Sequence, residues 1–176
     1  MDRTDRPGVT VRPATADDSA QVAAVWSAAW HDGHRGHVPQ ELVEGRGAPY
    51  FVARTDELLA QTVVAVDGAG GVLGVLILRG DEVNQLMVSE TARGRGVGAL
   101  LLDEAERRAA AAGHDEAWLA VVPGNVAARG FYEARGWTDR GRETYHSVTL
   151  GGGTVPVEVR RYARALRGSG APSSPR

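Results

Sequence analysis

The sequence predicts an α/β fold, in which helices flank a mixed sheet of about six or seven strands. Two observations lead to this prediction. Short apolar or alternating stretches typical of strands recur along the chain, and stretches with apolar residues at helical spacing lie between them. The 176 residues suffice to bury a core without disulfides. We therefore expect one domain over residues 9–166, with disordered segments at 1–8 and 167–176, which are polar or rich in Gly, Ser and Pro.

The first half of the chain begins with an alternating stretch at residues 9–14, which predicts a strand. Asp17 and Asp18 then begin an amphipathic helix that extends through Trp30, and residues 31–39 are expected to form a loop. Two shorter helices are predicted next, at residues 40–45 and 49–59. Three strands follow, at residues 61–67, 72–79 and 82–88.

The second half contains two further helices, each with a recognisable end signal. A long helix is predicted at 97–112, ending at Gly113, and a shorter one at 126–135, with Asn125 as its N-cap. Three strands are predicted around them, at residues 116–122, 137–149 and 154–163.

Composition excludes several classes of protein. The net charge of −2 does not fit a general nucleic-acid binder, and the absence of cysteine excludes disulfides and thiolate metal sites. No apolar run is long enough to span a membrane, and residues 1–8 have no apolar segment typical of a signal peptide. We therefore expect a cytoplasmic protein that binds neither membranes nor nucleic acids.

Three glycines at alternate positions, Gly94, Gly96 and Gly98, lie at the start of the long helix. Arg93 precedes the first glycine, and Arg95 lies between the first and the second. Glycine costs about 0.5–1 kcal/mol in a regular element, so the cluster indicates a backbone that a ligand approaches closely. A helix N-terminus offers unpaired N–H groups and the positive end of the helix dipole. The segment therefore predicts a phosphate site.

Other interpretations of this turn fit less well. The spacing Gly94-x-Gly96-x-x-Ala99 formally matches a dinucleotide fingerprint, but the preceding strand ends too early and no acidic residue follows the next strand. A nucleotide triphosphate loop needs Lys followed by Ser or Thr, where this chain has Val97 and Gly98. A tight turn without a ligand does not need three glycines or flanking arginines.

Two segments resemble the signatures of the GCN5-related N-acetyltransferase (GNAT) superfamily. LMVSETARGRGVGALLL is similar to its acetyl-CoA motif Arg/Gln-x-x-Gly-x-Gly/Ala, with Arg93, Gly96 and Gly98 at the matching positions. NVAARGFYEARGW, at residues 125–137, is similar to its second motif. The resemblance extends with lower specificity over residues 9–163, and the two motifs together are more specific than either alone.

The resemblance implies that acetyl-CoA binds where two parallel strands of the sheet separate. The pyrophosphate would lie on the turn and first helical residues, and the pantetheine arm would bind the main chain of the strand before them. The residues expected to bind the cofactor are Leu86, Met87, Val88, Arg93, Gly94, Arg95, Gly96, Val97, Gly98, Ala99, Asn125, Ala128 and Tyr132. No metal is implied.

Two side chains match catalytic positions of the family. Tyr132 corresponds to the tyrosine that reaches the CoA sulfur and would protonate the departing thiolate, although a tyrosine at helical spacing is also common in cores. Glu82 corresponds to the general base of the histone-acetylating branch, whereas other branches remove the proton through a water chain. A solvent-facing or ion-paired Glu82 is the structural alternative.

Residues 30–39 resemble an acceptor-side stretch, W-x-x-x-Y-R-G-x-V/I-P, of a branch that acetylates small molecules, with His34 in place of the tyrosine. We therefore expect Trp26, Trp30, His31 and His34 to bind the acceptor. The pattern His31-x-x-His34-x-x-His37 does not favour a metal site. Gly33 and Gly36 are expected to prevent a regular helix, no carboxylate completes a known spacing, and zinc-binding helices favour i,i+4 pairs.

The sequence thus predicts an N-acetyltransferase that transfers the acetyl group of acetyl-CoA directly to a small amine in a ternary complex. The alternatives are an acetyltransferase for protein N-termini or lysines and, outside enzymes, a non-catalytic acyl-CoA sensor. A sensor has no need of Tyr132 or Glu82, which favours the enzyme. The resemblance also predicts a homodimer.

Overall fold

A computed structural model describes residues 8–166, which form a seven-stranded sheet in the order β1-β2-β3-β4-β5-β7-β6. The strands are β1 (Val9–Pro13), β2 (Thr62–Asp67), β3 (Val72–Arg79), β4 (Glu82–Val88), β5 (Glu116–Val121), β6 (Thr138–Val148) and β7 (Thr154–Ala165). The helices are α1 (Ser19–His34), α2 (Gln40–Gly45), α3 (Ala48–Leu58), α4 (Val97–Ala111) and α5 (Val126–Ala134). The β4–β5 pair is parallel and the other pairs are antiparallel, so the predicted mixed α/β sheet is confirmed.

Helices cover both faces of the sheet, and a hydrophobic layer fills each interface. On one face α4 contributes the predicted apolar stripe, including Leu101 and Ala105, against alternate residues of β2 and β3. On the other face Trp26 and Trp30 of α1 pack with Phe51 of α3. In β2, for example, Val63 and Ala65 face one layer and Val64 and Val66 the other, as a two-sided sheet requires.

The predicted end of α1 at Trp30 is wrong, because the helix continues through His34 and includes Gly33. Glycine within a helix costs about 1 kcal/mol, yet here it permits a close approach. A Cβ on Gly33 would lie 2.9 Å from the side-chain amide of Asn125, at the start of α5. Packing of this helix against the β5–α5 connection thus overrides the local preference of the sequence.

β4 and β5 diverge soon after they meet. Their only register pair among residues 8–166 is Glu82 with Trp118, so the β5-facing edge of β4 has no strand partner beyond that point. The pairing of β4 with β3 shifts register between Ile77 and Leu78, which leaves Asn84 as an extra residue on β4. The predicted splayed pair is therefore present, and an irregularity lies at the point of divergence.

The predicted disordered segments at 1–8 and 167–176 lie outside the described residues, except for Gly8. Among residues 8–166, no helix combines the length and apolar character needed to cross a membrane.

Candidate active site

A cavity of about 510 Å³ occupies the gap between the diverging strands β4 and β5. Its walls come from β4, β5, the C-terminal half of α1, the first turns of α5 and the end of β6. Most of the residues predicted for the site line this cavity: Trp26, Trp30, His34, Glu82, Leu86, Met87, Val88, Arg93, Gly98, Asn125, Ala128 and Tyr132. The fold therefore brings segments from across the chain to one compartment.

The glycine turn borders this cavity, which Arg93 and Gly98 line. Gly94 and Gly96 have φ values of +72° and +78°, a left-handed conformation that favours glycine. α4 begins at Val97 without a side-chain cap, and its first backbone bond runs from Leu100 N–H to the Gly96 carbonyl. The N–H groups of the first turn are thus available to an anion.

The other residues predicted to bind the phosphates do not line the cavity: Gly94, Arg95, Gly96, Val97 and Ala99. Val97 is buried in the core, so only its main chain can reach a ligand. Arg93 forms an ion pair with Asp32 of α1 at 2.7 Å, with about half of each side chain exposed. Exposed ion pairs contribute little free energy, about 0–1 kcal/mol, so a phosphate can displace Asp32 at small cost.

Leu86, Met87 and Val88 lie on the stretch of β4 that β5 has left. Because a strand edge without a partner presents free N–H and C=O groups, this segment can bind an extended ligand as an added strand would. Asn125 lies opposite, where its side chain accepts a hydrogen bond from the Ala128 N–H at 3.1 Å. The predicted N-cap at Asn125 is thereby confirmed, and its side-chain amide faces α1 at Gly33.

Tyr132 lies on α5 with 8% of its surface exposed, in contact with Phe131, Trp137 and Tyr162. Its hydroxyl makes no hydrogen bond with any residue from 8 to 166. Burial raises the pKa of Tyr132 above its usual value, so the phenol remains protonated at neutral pH. The side chain therefore belongs to the core and also lines the cavity with a protonated phenol.

Glu82 lies at the start of β4, where the two parallel strands meet. The Tyr145 hydroxyl of β6 donates a hydrogen bond to Glu82 Oε1 at 2.7 Å, and the Asn84 amide donates to the same oxygen at 3.0 Å. Within the described part of the chain, Oε2 has no partner and Glu82 forms no ion pair. Burial and the neighbouring Glu82 raise the pKa of Tyr145. The Tyr145 phenol therefore stays protonated and donates the hydrogen bond to Glu82. This arrangement fixes Oε1 through two hydrogen bonds and leaves Oε2 without a partner among the described residues.

The aromatic side chains of α1 also line the cavity. The Trp30 ring stacks on His34 at 4.6 Å, and the Trp26 indole N–H donates to Gln85 Oε1 at 3.1 Å. Both tryptophans are almost fully buried, so they shape the wall and also belong to the core. His31 does not line the cavity; its Nε2 donates to the Arg46 carbonyl at 2.9 Å, so any effect of His31 on a ligand would be indirect.

Several lining residues were not predicted from the sequence, notably Arg46, Tyr50, Asn84 and Tyr145. Arg46 and Tyr50 lie around the α2–α3 connection, and Tyr145 lies on β6. Neither segment carries a motif that identifies it. Nothing in the spacing of these residues predicts their contact with β4, because the contact depends on how distant elements pack.

His34 is a buried, titratable residue of the site, so it links stability to pH. Its Nδ1 hydrogen donates to the Trp30 carbonyl at 2.8 Å. Burial lowers the pKa of His34 from 6.5 to about 4; the hydrogen bond to Trp30 opposes this shift and the charge of Arg46 contributes to it. The unfolded chain thus binds more protons than the folded one between these two pH values, so neutral His34 favours folding fully above pH 6.5 and progressively less as the pH falls toward 4.

We therefore expect the free energy of unfolding to fall more steeply on acidification in the wild type than in His34→Asn. Asn retains an N–H donor for the Trp30 carbonyl and cannot be protonated. The difference between the two proteins should change by about 3 kcal/mol from neutral pH to pH about 4. Urea unfolding over this range measures it, with His146→Asn on the exposed edge of β6 as the control. If the free energy of unfolding fell equally with pH in the wild type and in His34→Asn, the lowered pKa of His34 would be contradicted.

No group of three His, Cys, Asp or Glu side chains suited to a metal occurs within the described ranges. His31 and His34 each use one ring nitrogen for a main-chain carbonyl instead.

Comparison with known proteins agrees with this geometry. A family model described as "Acetyltransferase (GNAT) family" matches residues 19–137. No curated protein sequence matches the chain significantly.

Solved structures share the fold. A GCN5-related N-acetyltransferase from Rhodopseudomonas palustris is 23% identical, with a TM-score of 0.69, over 90% of this chain and 96% of its own. A phosphinothricin acetyltransferase from Sinorhizobium meliloti, in complex with AcCoA, is 21% identical with a TM-score of 0.65, over 96% and 94%. The PaiA N-acetyltransferase from Thermoplasma acidophilum, in complex with coenzyme A, is 17% identical with a TM-score of 0.63, over 89% and 98%.

Proposed function

This chain belongs to the acetyltransferase (GNAT) family, and from that premise we propose that it transfers the acetyl group of acetyl-CoA to a primary amine of a small molecule. One observation carries the proposal. The same cavity is lined by Tyr132, by Glu82 and by the stretch of β4 whose β5-facing edge has no strand partner, so a donor and both proton-transfer groups can meet there. The transfer is direct, within a ternary complex of protein, acetyl-CoA and amine.

The donor would lie along the gap between β4 and β5. The first turn of α4 would hold the pyrophosphate through main-chain N–H groups, assisted by Arg93. Leu86–Val88 would hold the pantetheine arm through the main chain of β4. Solved structures of similar fold contain CoA or acetyl-CoA, which supports this use of the gap.

Acetyl-CoA supplies an activated acetyl thioester, and the chain supplies the proton transfers. Glu82 Oε2 accepts a proton from the ammonium of the acceptor, whose usual pKa of about 10.4 keeps it charged at neutral pH. The freed nitrogen then forms a bond to the acetyl carbon, and a main-chain N–H near Met87 or Val88 stabilises the oxyanion. As the carbon–sulfur bond breaks, Tyr132 protonates the thiolate. The nitrogen gives its second proton back to the Tyr132 phenolate, Glu82 releases its proton to solvent, and the products are an amide and free CoA.

The size of the cavity favours a small acceptor over a protein. The part of the cavity proposed for the acceptor, called here the acceptor end, is lined by the buried side chains of Trp26, Trp30 and Tyr50 and by Tyr145 and Val148 of β6. A lysine on a folded protein or a chain N-terminus needs a long groove for the flanking peptide. A cavity of about 510 Å³ that also has to hold part of the donor therefore supports the small-molecule proposal.

The test is a thiol-release assay with acetyl-CoA against amines, amino acids, polyamines, aminoglycosides and peptides. Small amines should be acetylated, and the N-acetyl products should be identified by mass spectrometry. Acetylation of peptides alone would favour a protein acetyltransferase. Tight binding of CoA without transfer to any amine would favour a sensor.

Glu82→Gln should lower kcat/KM for the amine by at least about 10²-fold at neutral pH, because it removes the proton acceptor. The deficit should shrink as the pH approaches the pKa of the amine, since the acceptor then loses its proton without assistance. Asp81→Asn is the matched control, because Asp81 is adjacent but lies outside the cavity and accepts a bond from the Trp118 indole. A Glu82→Gln enzyme whose kcat/KM lies within a few-fold of the wild-type value would instead favour removal of the proton through a water chain.

A further inference from the structure

Arg46 is a buried cation without a counter-ion. It follows α2 directly, only 5% of its surface is exposed, and it lines the cavity. No carboxylate among residues 8–166 forms an ion pair with it, whereas Arg54 on the same wall is paired with Glu57. Burying an unpaired charge is strongly unfavourable, so a protein retains one only where something compensates it.

The protein itself compensates Arg46 only in part. Its guanidinium carbon lies 4.7 Å from the Trp30 ring centroid and 4.5 Å from that of Tyr50. One hydrogen bond is formed, from Nη2 to the Val148 carbonyl at 3.3 Å, and the buried Nε has no partner within residues 8–166. Two aromatic faces and one carbonyl stabilise a cation, yet most of the five N–H donors of a guanidinium remain available.

The position of Arg46 relates it to the proposed acceptor. Tyr145 and Val148 are three residues apart on β6, a distance of about 10 Å along a strand. Tyr145 holds Glu82, where the amine would lose its proton, and Val148 holds Arg46. Glu82 and Arg46 thus both line the cavity and are both held by the end of β6, so one molecule in the acceptor end can contact the carboxylate and the guanidinium.

We propose, as an extension of the acetyltransferase function proposed above, that the acceptor is an amino-acid-like molecule whose carboxylate binds Arg46. A carboxylate matches the forked, planar donors of arginine and neutralises the buried charge. Polyamines and aminoglycosides, in contrast, would bring further positive charge next to Arg46, Arg54 and Arg79, which all line the cavity. The cation thus selects for anionic amines and against polycationic ones.

The experiment compares matched acceptors that differ only in the acid group. Leucine is tested beside leucinamide and isopentylamine, and γ-aminobutyrate beside its carboxamide, each with acetyl-CoA. In the wild type, kcat/KM should be higher for at least one acid than for its neutral partners. Arg46→Met should lower kcat/KM for that acid by about 10²–10³-fold, the usual loss on removing one partner of a buried charge pair, and should change the neutral partners only a few-fold.

Two further variants separate binding of the acid from support of the fold. Arg46→Lys keeps the charge and should retain part of the preference. Arg135→Met is the matched control, because Arg135 also has a buried, unpartnered Nε but lies outside the cavity, and it should leave the preference unchanged. Arg46→Met should fold about as stably as wild type in thermal unfolding, since an apolar side chain avoids the cost of burying an unpaired charge.

A second measurement keeps this test independent of turnover. Calorimetry on the CoA-saturated protein should detect N-acetylleucine but not N-acetylleucinamide, and Arg46→Met should abolish the difference. Equal wild-type rates and affinities for acids and amides would overturn the proposal for Arg46, as would an equal loss for both in Arg46→Met. Absence of thiol release with every amine would instead overturn the acetyltransferase proposal, and the calorimetric comparison would still decide whether Arg46 binds a carboxylate.

Discussion

Replacing Tyr132 by Phe is expected to lower kcat by about 10²–10⁴-fold, the usual contribution of a positioned general acid. The change removes a hydroxyl that has no hydrogen-bond partner among the described residues, and it leaves the ring in contact with Phe131, Trp137 and Tyr162. CoA affinity and thermal stability should therefore change little. Steady-state thiol release, calorimetry with CoA and thermal unfolding measure the three quantities.

Tyr162→Phe is the matched control for this prediction. Tyr162 belongs to the same aromatic cluster and lies outside the cavity, and its hydroxyl donates to Glu133 at 2.6 Å and accepts from Arg129 at 3.2 Å. Loss of these bonds to charged groups should reduce stability by about 1.5–3 kcal/mol without a comparable loss of kcat. The two tyrosines thus separate a catalytic hydroxyl from a structural one.

The leaving group provides a second criterion for Tyr132. A thiol with a pKa well below the usual value of about 8.5 departs as a thiolate without a proton, so acetyl esters of acidic thiols should show a smaller deficit in Tyr132→Phe. A deficit that does not depend on the thiol would indicate that Tyr132 positions CoA. If kcat of Tyr132→Phe lay within a few-fold of the wild-type value, Tyr132 would have only a structural role in the core.

Gly96→Asp should weaken CoA binding by about 10²-fold relative to Gly96→Asn. Gly96 has a left-handed conformation that Asn and Asp tolerate better than other residues do, so the two variants impose a similar backbone strain. They differ in a single negative charge at the first turn of α4. Repulsion of about 3 kcal/mol between that charge and a pyrophosphate a few ångströms away corresponds to this loss of affinity.

Calorimetric Kd values for CoA test the prediction, and acetylpantetheine, which lacks the phosphates, serves as the control substrate. The two variants should use acetylpantetheine equally well, because no phosphate then faces the introduced charge. If Asp and Asn at position 96 bound CoA equally, the pyrophosphate would have to lie elsewhere.

The sequence by itself determined the features that depend on neighbouring residues. The left-handed turn at Gly94 and Gly96, the N-cap at Asn125 and the strands on either side of α4 all follow from residues within a few positions of one another. Propensity, capping and hydrophobic period act over this range, so a single chain carries their signal. The family motifs add the expected role of the gap between β4 and β5, because each motif is itself a local pattern.

Only the tertiary structure decided the features that join distant parts of the chain. α1 continues through Gly33 because that glycine meets Asn125, against its local preference. The bond from Tyr145 to Glu82 joins residues 63 positions apart, and that from Arg46 to Val148 joins residues 102 apart. Side chains so far apart meet only because the order of strands brings β6 and β4 to one cavity, and burial there gives His34, Tyr132 and Arg46 properties that their sequence neighbours do not encode.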